Sequence, residues 1–250
     1  MKSTFVIGSF VAGLALTLAV PASAATVLTD DFTYTDGDLA TANADWVVHS
    51  GTGGEIQVAG NAIEITQDSG TGLTKDHHKL FDGGASFTSG VVTATFDIVV
   101  TAPGAMTGTD FEYFAHFWQT TNPNNFRSRT DLVAPGTAGG DYSIGIATIN
   151  STAEFTLADI VGFNFGETVA VEITFDIDAG TSTMTAGGQT LNTLVVSTGQ
   201  NIDAFAFRQS SSSSDETVTV DNLVVSHVPE PASIALMMLG GVAMGMRRRA

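Results

Sequence analysis

Glu172, Asp176 and Asp178 are the first residues in this 250-residue chain whose types and spacing could do acid–base chemistry. Glycoside hydrolysis needs two carboxyls, about 5–5.5 Å apart for retention or about 6.5–9.5 Å for inversion. A strand over residues 169–178 would place all three acids on one face. Asp176 and Asp178 would then sit about 6.5 Å apart at the backbone, and Glu172 about 13 Å from Asp176. The opposite face, Val171, Ile173, Phe175 and Ile177, is the apolar one, so the acids are expected to face water. No aromatic stands beside them to hold a sugar, and no E-x-D-x-E pattern is present. No catalytic residue is assigned.

The five histidines, His49, His77, His78, His116 and His227, form no H-E-x-x-H motif. His77 and His78, being adjacent, would face opposite ways in a strand, so no catalytic zinc is expected from spacing. The absence of cysteine removes disulfides, thiolate ligands and a thiol nucleophile. No G-x-S-x-G and no phosphate-cradling G-x-x-x-x-G-K-[ST] occurs. A structural calcium is a possible cofactor if Asp30 and Asp31, early in the chain, meet Asp221 near its end. Calcium takes six to eight oxygens, and the alternative is simply an acidic surface.

The stretch Phe111-Glu112-Tyr113-Phe114-Ala115-His116-Phe117-Trp118 and the run that follows it, through Arg127, Arg129 and Asp131, could bind carbohydrate. In a regular strand Phe111, Tyr113, Ala115 and Phe117 would form a core face. Glu112, Phe114, His116 and Trp118 would form the other. If the second run is a strand, Arg127, Arg129 and Asp131 share a face. Aromatics beside planar hydrogen-bonders stack on sugar rings, and Arg127 and Arg129 could pair with acidic polysaccharide groups. The competing reading is a central strand covered on both faces, with the arginines paired to neighbouring acids. Trp46, next to Val47 and Val48, reads as core.

The elements that must position these residues are strands. Runs of alternating apolar and polar residues at 91–100, 110–119, 169–178 and 217–225 are separated by glycine-rich turns. Outside the two ends no stretch has helical periodicity, and no internal repeat or composition break divides the chain. Many short strands in about 200 residues predict one all-β domain, a two-sheet antiparallel sandwich or jelly roll. The net charge is −17, and 25 acids against five cations fall between the terminal segments. A surface that acidic repels phosphate backbones, which argues against nucleic acid as a partner.

Both ends look like addresses. Lys2, an apolar run from Phe5 to Val20, Pro21 and Ala22-Ser23-Ala24 make a secretory signal peptide over residues 1–24, cut between Ala24 and Ala25 by signal peptidase. The alternative is a membrane anchor. At the other end, Pro229-Glu230-Pro231 precedes 13 uncharged residues, Ile234 to Met246, and then Arg247-Arg248-Arg249. That run covers about 20 Å as a helix, against a hydrocarbon core of about 30 Å. It is short for a permanent span but well formed as a transient stop in the inner membrane, with the arginines held on the cytoplasmic side. The alternative is a single-pass tail anchor.

Residues 228–250 resemble the PEP-CTERM sorting domain of Gram-negative bacteria. The resemblance implies processing by an exosortase at or near Pro229-Glu230-Pro231. It also implies association with exopolysaccharide, biofilm or the outer cell surface. Three stretches of the middle, residues 25–227, resemble the concanavalin A-like (laminin G-like) jelly-roll superfamily. Asp30-Asp31-Phe32 with Trp46 is similar to its first strand and turn, residues 172–184 to a late hairpin, and residues 219–225 to its closing strand, which would lie beside the first. That superfamily hosts lectins, glycosidases, lyases and structural modules, so the resemblance leaves function open. The expectation is a secreted, non-enzymatic surface or matrix protein in an extracellular polysaccharide layer. The alternatives are a polysaccharide-active enzyme and a specific lectin.

Overall fold

The computed structural model describes residues 23–67, 72, 74–107, 112–122, 126–210, 212 and 214–230. The expected signal peptide up to residue 22, the tail from Pro231 through Arg247–Arg249, and Phe111 lie outside the described residues. Among the described residues no helix is long and apolar enough to cross a membrane. Ser23–Glu230 forms one compact unit.

The chain opens with β1 (Ala25–Asp30), β2 (Gly37–Asp38), the short α1 (Leu39–Ala42), β3 (Trp46–Ser50), β4 (Gln57–Ala59) and β5 (Ala62–Thr66). It continues through β6 (Asp76–Leu80), β7 (Val91–Thr101), β8 (Glu112–Trp118), β9 (Phe126–Val133), β10 (Ser143–Ala147) and β11 (Phe155–Thr156). It closes with β12 (Thr168–Asp176), β13 (Thr181–Ala186), β14 (Gln189–Asn192), β15 (Ala204–Arg208) and β16 (Thr217–Val228). One sheet runs β14-β13-β12-β7-β16-β5-β4-β2, with β1 also paired to β16; the other runs β11-β10-β9-β8-β15-β6-β3. All the pairings are antiparallel, and the sandwich expected from the sequence is the fold observed.

Alternation drives the packing. In β7 and β12 every second residue is buried: Val92, Ala94, Phe96, Ile98 and Val100 on one, Val169, Val171, Ile173 and Phe175 on the other. The other sheet answers with Phe117, Ile144, Ile146, Phe205 and Phe207. Across the two layers Phe96 meets Phe114 edge-on at 6.2 Å, and within the seven-stranded sheet Trp46 packs against Phe207 at 5.4 Å. A core of this size needs no disulfide staple.

β16 is the hinge of the topology. Its first half pairs with β5, its second half with β1, and β7 lines its other edge throughout. The switch falls at a bulge between Asp221 and Val224, where Asn222 takes a left-handed φ of 57°. The first and last strands therefore lie together, with Asp30 opposite Leu223. β1, however, ends at Asp30 rather than starting there, and Asp31–Tyr34 is the turn after it.

The face assignment of β8 needs correcting. Bulges against β9 between Tyr113 and Ala115, and between Ala115 and Phe117, break strict alternation. Phe114 joins Ala115 and Phe117 in the main core, while Tyr113 turns to the opposite face. A second irregularity sits in β9, where Ser128 has φ 52° and its hydroxyl donates to Thr174 O and Ser182 Oγ of the facing sheet. Arg127 then pairs across from the core residue Phe117, so Arg127 does not simply share a face with Arg129 and Asp131.

Candidate functional site

The face of the seven-stranded sheet turned away from the core gathers unusual side chains. β15 reads Ala-Phe-Ala-Phe-Arg: Phe205 and Phe207 go to the core, and Ala204, Ala206 and Arg208 line the other side. The two alanines leave room above the sheet, and Trp118 of β8 packs across them. Its indole stacks on His49 of β3 at 4.0 Å and 24°, and meets His78 of β6 edge-on at 4.7 Å. Further along, Tyr113 lies under both the Arg129 and Arg208 guanidiniums, 4.4 and 4.3 Å from its ring centre. His116 fits between Tyr113 and Phe126 at 5.6 and 5.0 Å.

Electrostatics on this face are dominated by burial. Desolvation pushes His49 down to about 3 and His116 well below the usual imidazole range; His78 is lowered too. Mutual repulsion among the rings adds to the effect at His49 and His116, which are neutral at pH 7. Asp76, between Ser50 Oγ at 2.6 Å and Arg208 at 4.0 Å, is raised to about 6 by burial against those opposing partners. Burial also pushes Asp131 well above the usual carboxylate range, Arg129 pulling the other way. Arg208 is shared with Glu112 at 3.0 Å.

Many polar atoms here have no hydrogen-bond partner among the described residues: both ring nitrogens of His116, Trp118 Nε1, Nε of Arg127 and Arg129, and both oxygens of Asp131. Trp118 is 4% exposed and Arg129 8%. Such orphans are rare in native proteins, and each calls for an explanation. Of the five residues read from sequence as a carbohydrate site, His116, Trp118 and Arg129 come together. Phe114 lies in the core, and Arg127 bonds back to Phe126 O at 2.5 Å. Sequence reasoning missed His49, His78, Tyr113 and Arg208. The small–large alternation of β15 was the available signal for the trough; the histidines arrive through sheet order, which has no local signature.

The acids read as calcium ligands have other work. Asp30 accepts hydrogen bonds from Phe32 N (2.9 Å), Tyr34 Oη (2.8 Å) and Trp46 Nε1 (2.8 Å), and pairs with Lys79 Nζ at 3.0 Å. Burial and the bond to Asp30 raise the Tyr34 phenol. Asp31 is exposed and accepts from Thr33, while Asp221 accepts from Asn222 N. Asp30 is thus occupied by a lysine and three other donors, and its negative charge is already answered. Two of the acids weighed for glycoside hydrolysis also have partners: Asp176 Oδ1, at the end of β12, accepts from Asp178 N and Ala179 N, closing the turn to β13, and Asp178 Oδ2 accepts from Gly90 N. Glu172 is exposed.

Residues 227–249 match the PEP-CTERM protein-sorting motif. The match begins inside β16, and Pro229 and Glu230, the first residues past it, are exposed. Such a motif implies a secreted protein processed by an exosortase in a Gram-negative bacterium. No curated protein matches the chain. Similar solved structures include a sialidase, at 12% identity and TM-score 0.48, covering 79% of this chain. The chain spans only 19% of that sialidase's length. The Lotus tetragonolobus seed lectin is similar at 13% identity and TM-score 0.48, over 82% of this chain and 100% of the lectin. An alginate lyase of polysaccharide lyase family 7 is similar at 15% identity and TM-score 0.49, over 81% of this chain and 94% of the lyase.

Proposed function

We propose that this chain is a non-enzymatic adhesive or structural protein of the outer cell surface or extracellular matrix, and that the outer face of its seven-stranded sheet binds acidic polysaccharide. The observation that supports this reading is the set of orphaned donors around Trp118, His116 and Arg129, interleaved with aromatic rings. A polymer rich in hydroxyl and carboxylate groups satisfies such donors, and its ring faces stack on Trp118 and Tyr113. The overall negative charge keeps the protein soluble, while Arg129, on the Tyr113 ring, is the guanidinium placed to meet a carboxylate, Arg208 being paired with Glu112 and Asp76.

The test uses the natively processed protein. Affinity electrophoresis in gels containing a uronate polymer is expected to retard the wild type. Trp118→Ala and Arg129→Gln, checked for folding by circular dichroism, are expected to lose at least about tenfold in affinity, the scale of one hot-spot contact. Unchanged retardation in both folded variants would defeat the reading. An eliminating enzyme acting on uronates is the second reading, favoured by the neutral His116 beside Tyr113 and Arg129. Release of unsaturated oligosaccharides by the wild type, lost in His116→Gln, would replace the first reading with that one.

A further inference from the structure

Away from this face, three residues distant in sequence bring ligating atoms together where the two sheets meet at one edge. Asp38 ends β2 and caps α1, its Oδ1 accepting from Thr41 N at 2.7 Å. Glu55 lies two residues before β4. Both belong to the β4–β2 border of the nine-stranded sheet. His77 comes from β6 of the other sheet, paired across from Phe207, on the side facing the core. One carboxylate oxygen from each acid and one ring nitrogen of His77 all lie within 4.8 Å of one another.

His77 is the telling member. It is 0% exposed, and neither ring nitrogen has a hydrogen-bond partner among the described residues. Leaving a buried polar group unpaired is unfavourable, and a group that persists in that state needs a partner the protein chain does not provide.

We propose that Asp38, Glu55 and His77 bind a divalent transition-metal ion of the zinc class, which clips the border of one sheet to the core side of the other. One imidazole and two carboxylates form a mixed nitrogen–oxygen set, which suits zinc; calcium and magnesium take all-oxygen shells. Around a tetrahedral zinc, ligand atoms sit about 3.3 Å apart, so the three side chains need to close by no more than about 1.5 Å. Three protein ligands leave the fourth position to water. The resident competitor is Lys75, whose ammonium pairs with Glu55. In a chain without cysteine, the ion would supply a cross-link between layers that no disulfide can.

The test is calorimetric and thermal titration of the natively processed protein, first stripped with chelator, using Zn²⁺ alone. One ion per chain is expected to bind. Tm is expected to rise by about 5–10 °C at a free ion concentration of 100 times Kd. Both effects should vanish in His77→Gln and in Glu55→Gln. The half-exposed Glu55 serves as the second variant in case His77→Gln fails to fold. Co²⁺ in place of Zn²⁺ should give visible d–d absorption in the wild type and none in either variant. Absence of stoichiometric Zn²⁺ binding by the wild type would overturn the proposal. So would binding that survives in the folded Glu55→Gln variant, which would assign the ion to the general acidic surface.

Discussion

A single carboxylate, Asp30, joins three parts of the sandwich. It ends β1, receives the indole N–H of Trp46 from β3 and holds the Lys79 ammonium from β6. The pair is dry: the side chains of Lys79 and Asp30 are 13% and 1% exposed. Removing one partner of a buried pair strands the other charge, so Asp30→Asn is expected to destabilise by about 3–5 kcal/mol in urea unfolding. Adding Lys79→Met should recover part of that loss, because the stranded ammonium is gone. Nothing in Asp30-Asp31-Phe32 signals that the first acid is buried and the second exposed. The donors that decide it come from residues 34, 46 and 79, which only the fold brings together. The sequence pattern shows a run of acids; burial separates the hub from the surface group.

At the scale of elements, the strands were legible because their alternation is set by solvent on one side and core on the other. β7, β12 and β16 match their sequence patterns closely, and the β12–β13 hairpin falls where it was expected. What alternation cannot show is a bulge, since it is created by register against a neighbour. The bulges along β8 carried Phe114 inward and Tyr113 outward, and Ser128 displaced Arg127 from its expected companions. Half of the candidate face was therefore hidden, although the aromatic–arginine stretch itself lies on two of its strands, β8 and β9. The loop before β7 shows the same dependence on distant chain. Gly90 has φ +85°, and a Cβ there would lie 2.3 Å from Val228 O and 2.8 Å from His227 Nε2. Gly90→Ala is thus expected to cost about 1–3 kcal/mol, read as a fall in Tm of several degrees. Gly60→Ala, also at positive φ but with open space around it, should cost only about 1 kcal/mol.

For the whole molecule, the paired ends matter most. Ala25 lies across from His227, so the chain enters and leaves the sandwich at neighbouring points of one sheet. Cutting by signal peptidase at one end and an exosortase at the other predicts that intact-mass analysis of the native protein finds a chain beginning near Ala25 and ending in the Pro229–Pro231 region. Recovery of surface protein that still carries Arg247–Arg249 would defeat that expectation. The junction between domain and motif has no slack. β16 runs to Val228, His227 Nε2 contacts Ser89 O at 2.9 Å, and Phe87 stacks on His227 at 3.8 Å. This gives the molecule a mechanical direction. Tension applied beyond Val228 passes without a spacer into a strand gripped on both edges, by β7 on one side and β1 and β5 on the other. A force along that strand loads the backbone hydrogen bonds on both of its edges together, so the end of the domain next to the motif is braced across the nine-stranded sheet.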